Sequence, residues 1–212
     1  MAKIYFRYGT MDSSKTARLC MDAYEYQQRG EFVLPMKPVI DTRSATGYIE
    51  SRAGLKVKCL DVEKGYNIFA HVSMLVNNGI NLACVFVDEA QFLTYSQVLQ
   101  LRMIATELDI PVMCYGLRTD FTGQMFEGSK TLFELAEVFE EVKTICREEG
   151  CRHKAMFNVR YENGKPTFKG DSVKIGDTKE EESKDYYVVK CATHFLHDFQ
   201  QFTKEHADEI NV

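Results

Sequence analysis

Leu82-Ala83-Cys84-Val85-Phe86-Val87 is followed at once by Asp88-Glu89. A continuous apolar run of this length, stopped by two carboxylates, reads as a strand buried on both faces, as in a parallel sheet covered by helices. The flanking sequence agrees. Residues 68–76 have helical spacing and close on Asn77-Asn78-Gly79, and residues 95–108 read as another helix. Pro111-Val112-Met113-Cys114-Tyr115 is a further short buried strand that ends at Gly116.

Nearer the N-terminus, Ile4-Tyr5-Phe6-Arg7-Tyr8 is aromatic and β-prone, and residues 15–28 follow helical spacing with Ala17, Leu19, Cys20, Ala23 and Tyr24 inward. Phe32-Val33-Leu34 and Pro38-Val39-Ile40 read as one strand interrupted by Pro35, and residues 57–60 as a short strand. Residues 131–142, with Leu132, Leu135, Ala136, Phe139 and Val142 on one side, read as the last helix. This alternation predicts an α/β fold, a parallel sheet flanked by helices, ending near residue 143.

From Cys146 onward the character changes. Strand-like pieces at 156–161, 173–175 and 186–189 are separated by polar segments, Asn163-Gly164-Lys165-Pro166 signals a turn, and the charged run 179–185 reads as a solvated loop. The expected organisation is a main domain over 1–143, a small β-rich annex over 144–199 and a frayed polar tail over 200–212. A length of 212 residues suits one large domain with such an annex.

Composition excludes several classes. With 45 % hydrophobic and 27 % charged residues the chain is ordinary globular protein, not disordered, collagenous or coiled-coil. Lys and Arg number 26 against 31 Asp and Glu, a net charge of −5, so there is no basic footprint for nucleic acid. Met1-Ala2-Lys3-Ile4-Tyr5-Phe6-Arg7 lacks the apolar stretch and cleavage site of a signal peptide. No apolar run approaches the ~20 residues of a membrane span. The expectation is a reduced, cytoplasmic protein with no membrane partner, in which clustered cysteines suggest metal before disulfide.

Gly9-Thr10-Met11-Asp12-Ser13-Ser14-Lys15-Thr16 lies between the first strand and the first helix. It matches the phosphate-binding loop at every fixed position except the second glycine, which is Ser14. Successive N–H groups at the helix start form an anion nest, Lys15 reaches the β- and γ-phosphates, and the Thr16 hydroxyl holds Mg²⁺. Ser14 places a Cβ where the loop usually has none, which matters if the backbone there needs positive φ. The plainer reading is a helix capped by Ser13 or Ser14. Asp88 and Glu89 sit where ligands gather in open α/β sheets, at a strand's carboxyl end. An Asp there partners Mg²⁺ opposite the loop, and a Glu beside it can take the proton of an attacking hydroxyl. Read without function, they are ordinary charged residues closing a strand.

Cys146, Cys151, Cys191 and His194 offer the four N/S donors of a closed structural Zn²⁺ site, as Cys-x₄-Cys and Cys-x₂-His. A small annex with a poor core needs such a staple. His153 is a competing candidate and His197 a weaker one; as surface residues both have a simpler explanation.

Taken in order, Gly9 to Thr16, Asp41-Thr42-Arg43, Val87-Asp88-Glu89-Ala90-Gln91-Phe92 and Tyr115-Gly116-Leu117-Arg118-Thr119-Asp120-Phe121 closely resemble the cytosolic, zinc-containing type II thymidine kinases, the bacterial branch in particular. The resemblance spans nearly the whole chain, from about residue 3 to about residue 196. It implies transfer of the γ-phosphoryl of ATP to the 5′-hydroxyl of thymidine or deoxyuridine, with Mg²⁺. It further implies that Gly9, Thr10, Met11, Asp12, Ser13, Ser14, Lys15 and Thr16 hold the triphosphate, with Asp88, Asp41 and Arg43 beside the phosphates and metal. Glu89 resembles the general base. Met11, Phe92, Leu117, Phe121, Phe126, Asn158 and Tyr187 match positions around the base, although any one of these aromatics read alone is core packing. Structural zinc at the four Cys/His donors would hold the loop that carries Asn158 and Tyr187.

A homotetramer and feedback inhibition by the thymidine triphosphate dTTP are further implications of the resemblance. Two departures from the family pattern are Ser14, and Asp177 after Ile175-Gly176 where a glycine commonly repeats. Three other readings stand beside this one: another nucleoside as acceptor, a catalytically impaired nucleotide-binding homologue, and a zinc-ribbon nucleic-acid binder, the last disfavoured by the net charge of −5.

Overall fold

The computed structural model describes residues 1–170 and 185–207. The chain divides into two compact units. The first comprises Met1–Tyr8, Ser14–Arg118 and Phe126–Val142; the second comprises Gly9–Ser13, Thr119–Met125 and the described residues from Lys143 onward.

In the first unit the elements are β1 (Ile4–Tyr8), α1 (Lys15–Gln28), β2 (Phe32–Pro38), β3 (Tyr48–Glu50), β4 (Lys56–Lys58), β5 (Leu60–Val62), α2 (Ile68–Asn77), β6 (Leu82–Val87), α3 (Tyr95–Glu107), β7 (Val112–Gly116), α4 (Glu127–Leu135) and β8 (Val138–Glu141). Six strands form one sheet in the order β5-β2-β6-β7-β1-β8. Every neighbouring pair in it is parallel. The carboxyl ends of β1, β2, β6 and β7 therefore share one edge.

The apolar run that predicted this sheet is its central strand β6. Val85 and Val87 join a core with Val72, Val98, Leu101, Ile104 and Leu132, supplied by α2, α3 and α4. Cys84 and Phe86 alternate to the other face, against Leu19, Cys20 and Ala23 of α1 and Ile49 of β3. That alternation is the period of two expected of a strand covered on both sides. Local signals start the helices: Asn67 accepts from the Ala70 N–H (2.9 Å) at α2, and Thr94 with Gln97 forms a capping box at α3.

Several expectations are corrected. Pro35 does not interrupt β2, which runs on to Pro38; β5 pairs only from Met36 onward, so at Pro35 one side of β2 is an edge, where sheets tolerate proline. Ile40 lies beyond the strand. Residues 57–60 belong to two strands in two sheets, β4 paired with β3 and β5 paired with β2. Tyr24 is exposed. The expected last helix stops at Leu135, and residues 138–141 form β8 alongside β1. The 3.6-residue spacing there is genuine, but the open edge of β1 outbids it. Glu137 makes the corner, accepting the Ile4 N–H (2.9 Å) and pairing with Arg102.

The second unit contains β9 (Phe157–Glu162), β10 (Lys165–Thr167), β11 (Asp185–Lys190) and α5 (Ala192–Glu205). Its strands form an antiparallel sheet in the order β10-β9-β11. Asn163 and Gly164, both at positive φ, make the predicted turn, but Lys165 and Pro166 belong to the next strand. The tail expected to fray from residue 200 is helical as far as Glu205. α5 buries Phe195 and Phe202, and the Phe168 ring sits 5.5 Å from each of theirs. The strand expected at 173–175, Asp177, and the charged run except Asp185 lie outside the described residues.

Phe86 fills the α1 side of the sheet with no exposed surface. Phe86→Ala is expected to cost about 3–5 kcal/mol of unfolding free energy, measured by urea denaturation.

Candidate active site

Two buried carboxylates close β6. Asp88 is 2 % exposed and Glu89 7 %. The Asp88 N–H donates to the Met36 carbonyl (2.9 Å), which fixes the end of the strand. The Thr16 hydroxyl, one residue into α1, donates to Asp88 Oδ2 at 3.0 Å. Asp88 Oδ1 is buried with no hydrogen-bond partner. Burial, and then the neighbouring Glu89 charge, push the Asp88 carboxyl well above the usual carboxylate range, against the opposing pull of Arg43 and Thr16. A buried carboxylate oxygen without a donor, beside a hydroxyl, fits a cation.

Glu89 sits at φ +49, in the left-handed region, and opens a 3₁₀ turn over Ala90–Phe92. One carboxylate oxygen accepts from the Arg43 guanidinium and the other from the Gln91 carboxamide. Arg43 also donates through Nε to Asp41 Oδ1 (2.7 Å), and the facing Glu89 charge holds the guanidinium more firmly protonated than usual. Asp41, Arg43, Asp88 and Glu89, predicted from separate stretches, are thus one ionic cluster joined to Thr16.

Two residues of this cluster carried no role in the sequence reading. Gln91 links Glu89 to the main chain of β7's exit, accepting the Leu117 N–H at 2.9 Å. Lys37 is 1 % exposed in β2, and its ammonium donates to the Asp41 carbonyl (3.1 Å) and the Ser44 hydroxyl (2.7 Å), shaping the loop that presents Asp41 and Arg43. A lysine between Met36 and Pro38 in an apolar strand was the available signal, since a buried lysine needs acceptors.

In the phosphate-type loop, Ser14 lies at φ +62 and Asp12 at φ +57. Ser14 therefore occupies the conformation that glycine holds most cheaply. It stands at the N-cap of α1 but its side chain caps nothing, so the capping reading fails. Ser13 Oγ turns back to the Thr10 carbonyl (2.8 Å), and Lys15 is buried at 7 % exposure.

The residues expected around the nucleoside fall in both units. In the first, the Phe92 and Phe126 rings meet edge to face at 5.6 Å, and Leu117 is buried with its carbonyl accepting from Ser129 Oγ (2.5 Å). In the second, Asn158 Oδ1 accepts the Met11 N–H at 2.8 Å. Phe121 is buried under the Arg160 guanidinium, 5.5 Å from its ring centre. Tyr187 pairs with Arg160 across the β9–β11 ladder. Arg160 is a further residue that carried no role in the sequence reading. Asp120 accepts from the Thr122 N–H (2.9 Å) and hydroxyl (2.7 Å) and knots the loop bearing Phe121.

Also in the second unit, Cys146, Cys151, Cys191 and His194 bring four donor atoms within 4.8 Å of one another. His194 Nδ1 is 3.4 Å from Cys146 Sγ and 3.3 Å from Cys191 Sγ, and the Cys151 and Cys191 sulfurs are 4.0 Å apart. A tetrahedral Zn²⁺ with thiolate and imidazole ligands spaces its donors by about 3.5–3.8 Å, so the set fits that ion. His153 Nδ1 lies 3.6 Å from Cys151 Sγ but is exposed and outside the set, and His197 pairs with Asp198.

A sequence model of the family described as thymidine kinase matches residues 2–208. This chain belongs to the thymidine kinase family. It is 39 % identical over 202 residues to a thymidine kinase of Lactobacillus acidophilus, covering 93 % of this chain and 98 % of that one. It is 37 % identical over 196 residues to the thymidine kinase of Streptococcus gordonii, covering 92 % and 97 %. Thymidine kinases of Streptococcus pyogenes match at 37 % identity over 196 residues. The enzyme class is therefore a kinase, and among the described residues no helix is long and apolar enough to cross a membrane.

Left-handed backbone costs a residue with a Cβ about 1–2 kcal/mol, more than the entropy glycine loses on folding. Ser14→Gly is expected to raise unfolding free energy by up to about 1 kcal/mol, measured by urea denaturation without nucleotide.

Proposed function

We propose that this kinase transfers the γ-phosphoryl of ATP to the 5′-hydroxyl of thymidine, and of deoxyuridine, in deoxynucleotide salvage. The observation that carries the reading is the Glu89 carboxylate, held between Arg43 and Gln91 at the end of β6 and next to the Thr16–Asp88 pair.

Phosphoryl transfer needs positioning and charge neutralisation more than covalent help. Glu89 accepts the proton of the 5′-hydroxyl as that oxygen bonds to phosphorus, while the bond to the β-phosphate oxygen breaks and ADP leaves. Residues 9–16 supply the N–H groups around the phosphates, Lys15 neutralises the β- and γ-oxygens, and Arg43 sits beside them. Thr16 and Asp88 would hold Mg²⁺, which supplies charge neutralisation to the triphosphate.

Met11, Phe92, Leu117, Phe121, Phe126, Asn158 and Tyr187 would line the base. Cys146, Cys151, Cys191 and His194 would hold structural Zn²⁺ with no part in the chemistry. On this reading residues 1–143 are the nucleotide-binding domain and 144–199 the zinc annex. A cytoplasmic homotetramer inhibited by dTTP completes it. The impaired-homologue reading has no support, because Ser14 already adopts the left-handed conformation at the loop's glycine position.

Purified protein with ATP and Mg²⁺ is expected to phosphorylate thymidine and to leave deoxycytidine and deoxyadenosine unreacted. Glu89→Gln and Lys15→Ala are each expected to lower kcat at least ~100-fold with the fold retained, followed by ADP release and circular dichroism. Near-native turnover in Glu89→Gln would remove Glu89 from the base role. Metal analysis should find one zinc per chain, and a strong chelator should lower the melting temperature. A metal-free protein with unchanged melting would overturn the zinc assignment.

A further inference from the structure

On the reading of Glu89 as the base, we infer that Gln91 is a positioning residue for the transfer: its carboxamide fixes Glu89 against the main chain of Leu117. Gln91 is 2 % exposed, and both ends of its amide are committed. The Leu117 N–H can only donate, so the end facing it must be Oε1, at 2.9 Å. The NH₂ is thereby aimed at Glu89 Oε2, to which it donates. The orientation of the amide follows from the backbone it meets.

The effect on Glu89 is geometric. With a donor on each oxygen, Arg43 on one and Gln91 on the other, the carboxylate is fixed in its plane and keeps a lone pair on each oxygen for an incoming proton. The two donors differ in firmness. The Arg43 side chain is 47 % exposed and comes from the loop after β2. Gln91 is buried and braced on main chain, so it is the rigid partner.

The surroundings are cut to admit this bridge. A Cβ on Gly116 would lie 2.7 Å from Gln91 Oε1 and 3.1 Å from the Gln91 nitrogen, so any larger residue before Leu117 pushes the amide out of its bridge. A Cβ on Gly128 would lie 2.5 Å from the Ala90 carbonyl and 2.8 Å from that of Gln91, so α4 presses its backbone directly on the 3₁₀ turn. Ser129, one residue further along α4, holds the Leu117 carbonyl. Leu117 thus has both backbone groups bonded to buried side chains, and it is among the residues assigned to the base. Gln91 places the proton acceptor and that nucleoside-lining segment in one hydrogen-bonded frame.

Gln91→Met keeps the volume and removes both hydrogen bonds; Gln91→Asn keeps an amide too short to bridge them. In each, kcat for thymidine is expected to fall roughly tenfold or more, since small misplacements of a catalytic group are that costly. The fall in kcat should exceed any rise in KM for thymidine or for ATP, the sign that the reaction step has lost more than binding has. Gly116→Ala should give the same split without altering Gln91. Native kcat in Gln91→Met or Gln91→Asn overturns the inference, as does a loss in which kcat, both KM values and the melting temperature move together, the signature of packing. Glu89→Gln, assayed alongside, separates the two layers. Retained turnover there removes the base reading and this inference with it, whereas an inactive Glu89→Gln beside native Gln91 variants removes this inference alone.

Discussion

A strand covered on both faces carries charge most readily where it leaves the sheet. β6 obeys this, and the chemistry of the first unit follows from where it stops. Cys84 to Val87 have no exposed surface, and Asp88 and Glu89 come next, still nearly buried. Two adjacent carboxylates in such a place are unfavourable as they stand. Burial and mutual repulsion are the leading causes of the raised Asp88 value. The fold answers with donors from three other stretches: Thr16 from α1, Arg43 from the loop after β2, and Gln91 from the turn that follows. Asp88 Oδ1 is left unanswered. The site is left with a residual demand for positive charge.

Much of this was legible because it rests on local pattern. The apolar run named a strand buried twice, and the four Cys/His donors named a metal-type set that the structure does bring together. What stayed hidden depended on partners distant in sequence. Residues 138–141 carry helical periodicity and become a strand because β1 offers a free edge. β3 is three residues long with no signal beyond Ile49, and the single strand read over 57–60 divides between β4 and β5 because each has a different partner. The end of α5 read as a polar tail because from residue 200 only Phe202 turns inward, and it does so to meet Phe168.

Site residues divide in the same way. Asp41 and Arg43 were legible only through the resemblance, since nothing in their spacing announces a partner at residue 89. Lys37 and Gln91 were passed over because their roles are to acceptors and donors on the main chain, which sequence does not display. The second unit repeats the pattern. Lys190, 2 % exposed and adjacent to Cys191, joins Tyr161, Asp198 and Glu148, so the loop between Cys146 and Cys151 is tied to α5 by ion pairs as well as by shared metal-type donors.

The second unit also takes in Gly9–Ser13 and Thr119–Met125, segments that the chain delivers from within the first. Its contacts therefore join residues more than a hundred positions apart, such as Met11 with Asn158. Long separations of this kind slow folding, because the loop must close before the contact returns anything. On a ribosome, the sheet up to β8 can consolidate while the phosphate-type loop still lacks its partners. The nascent chain would then hold residues 9–13 in finished form only after the last third has emerged, so assembly of the first unit and completion of the second are separate events in the life of the molecule.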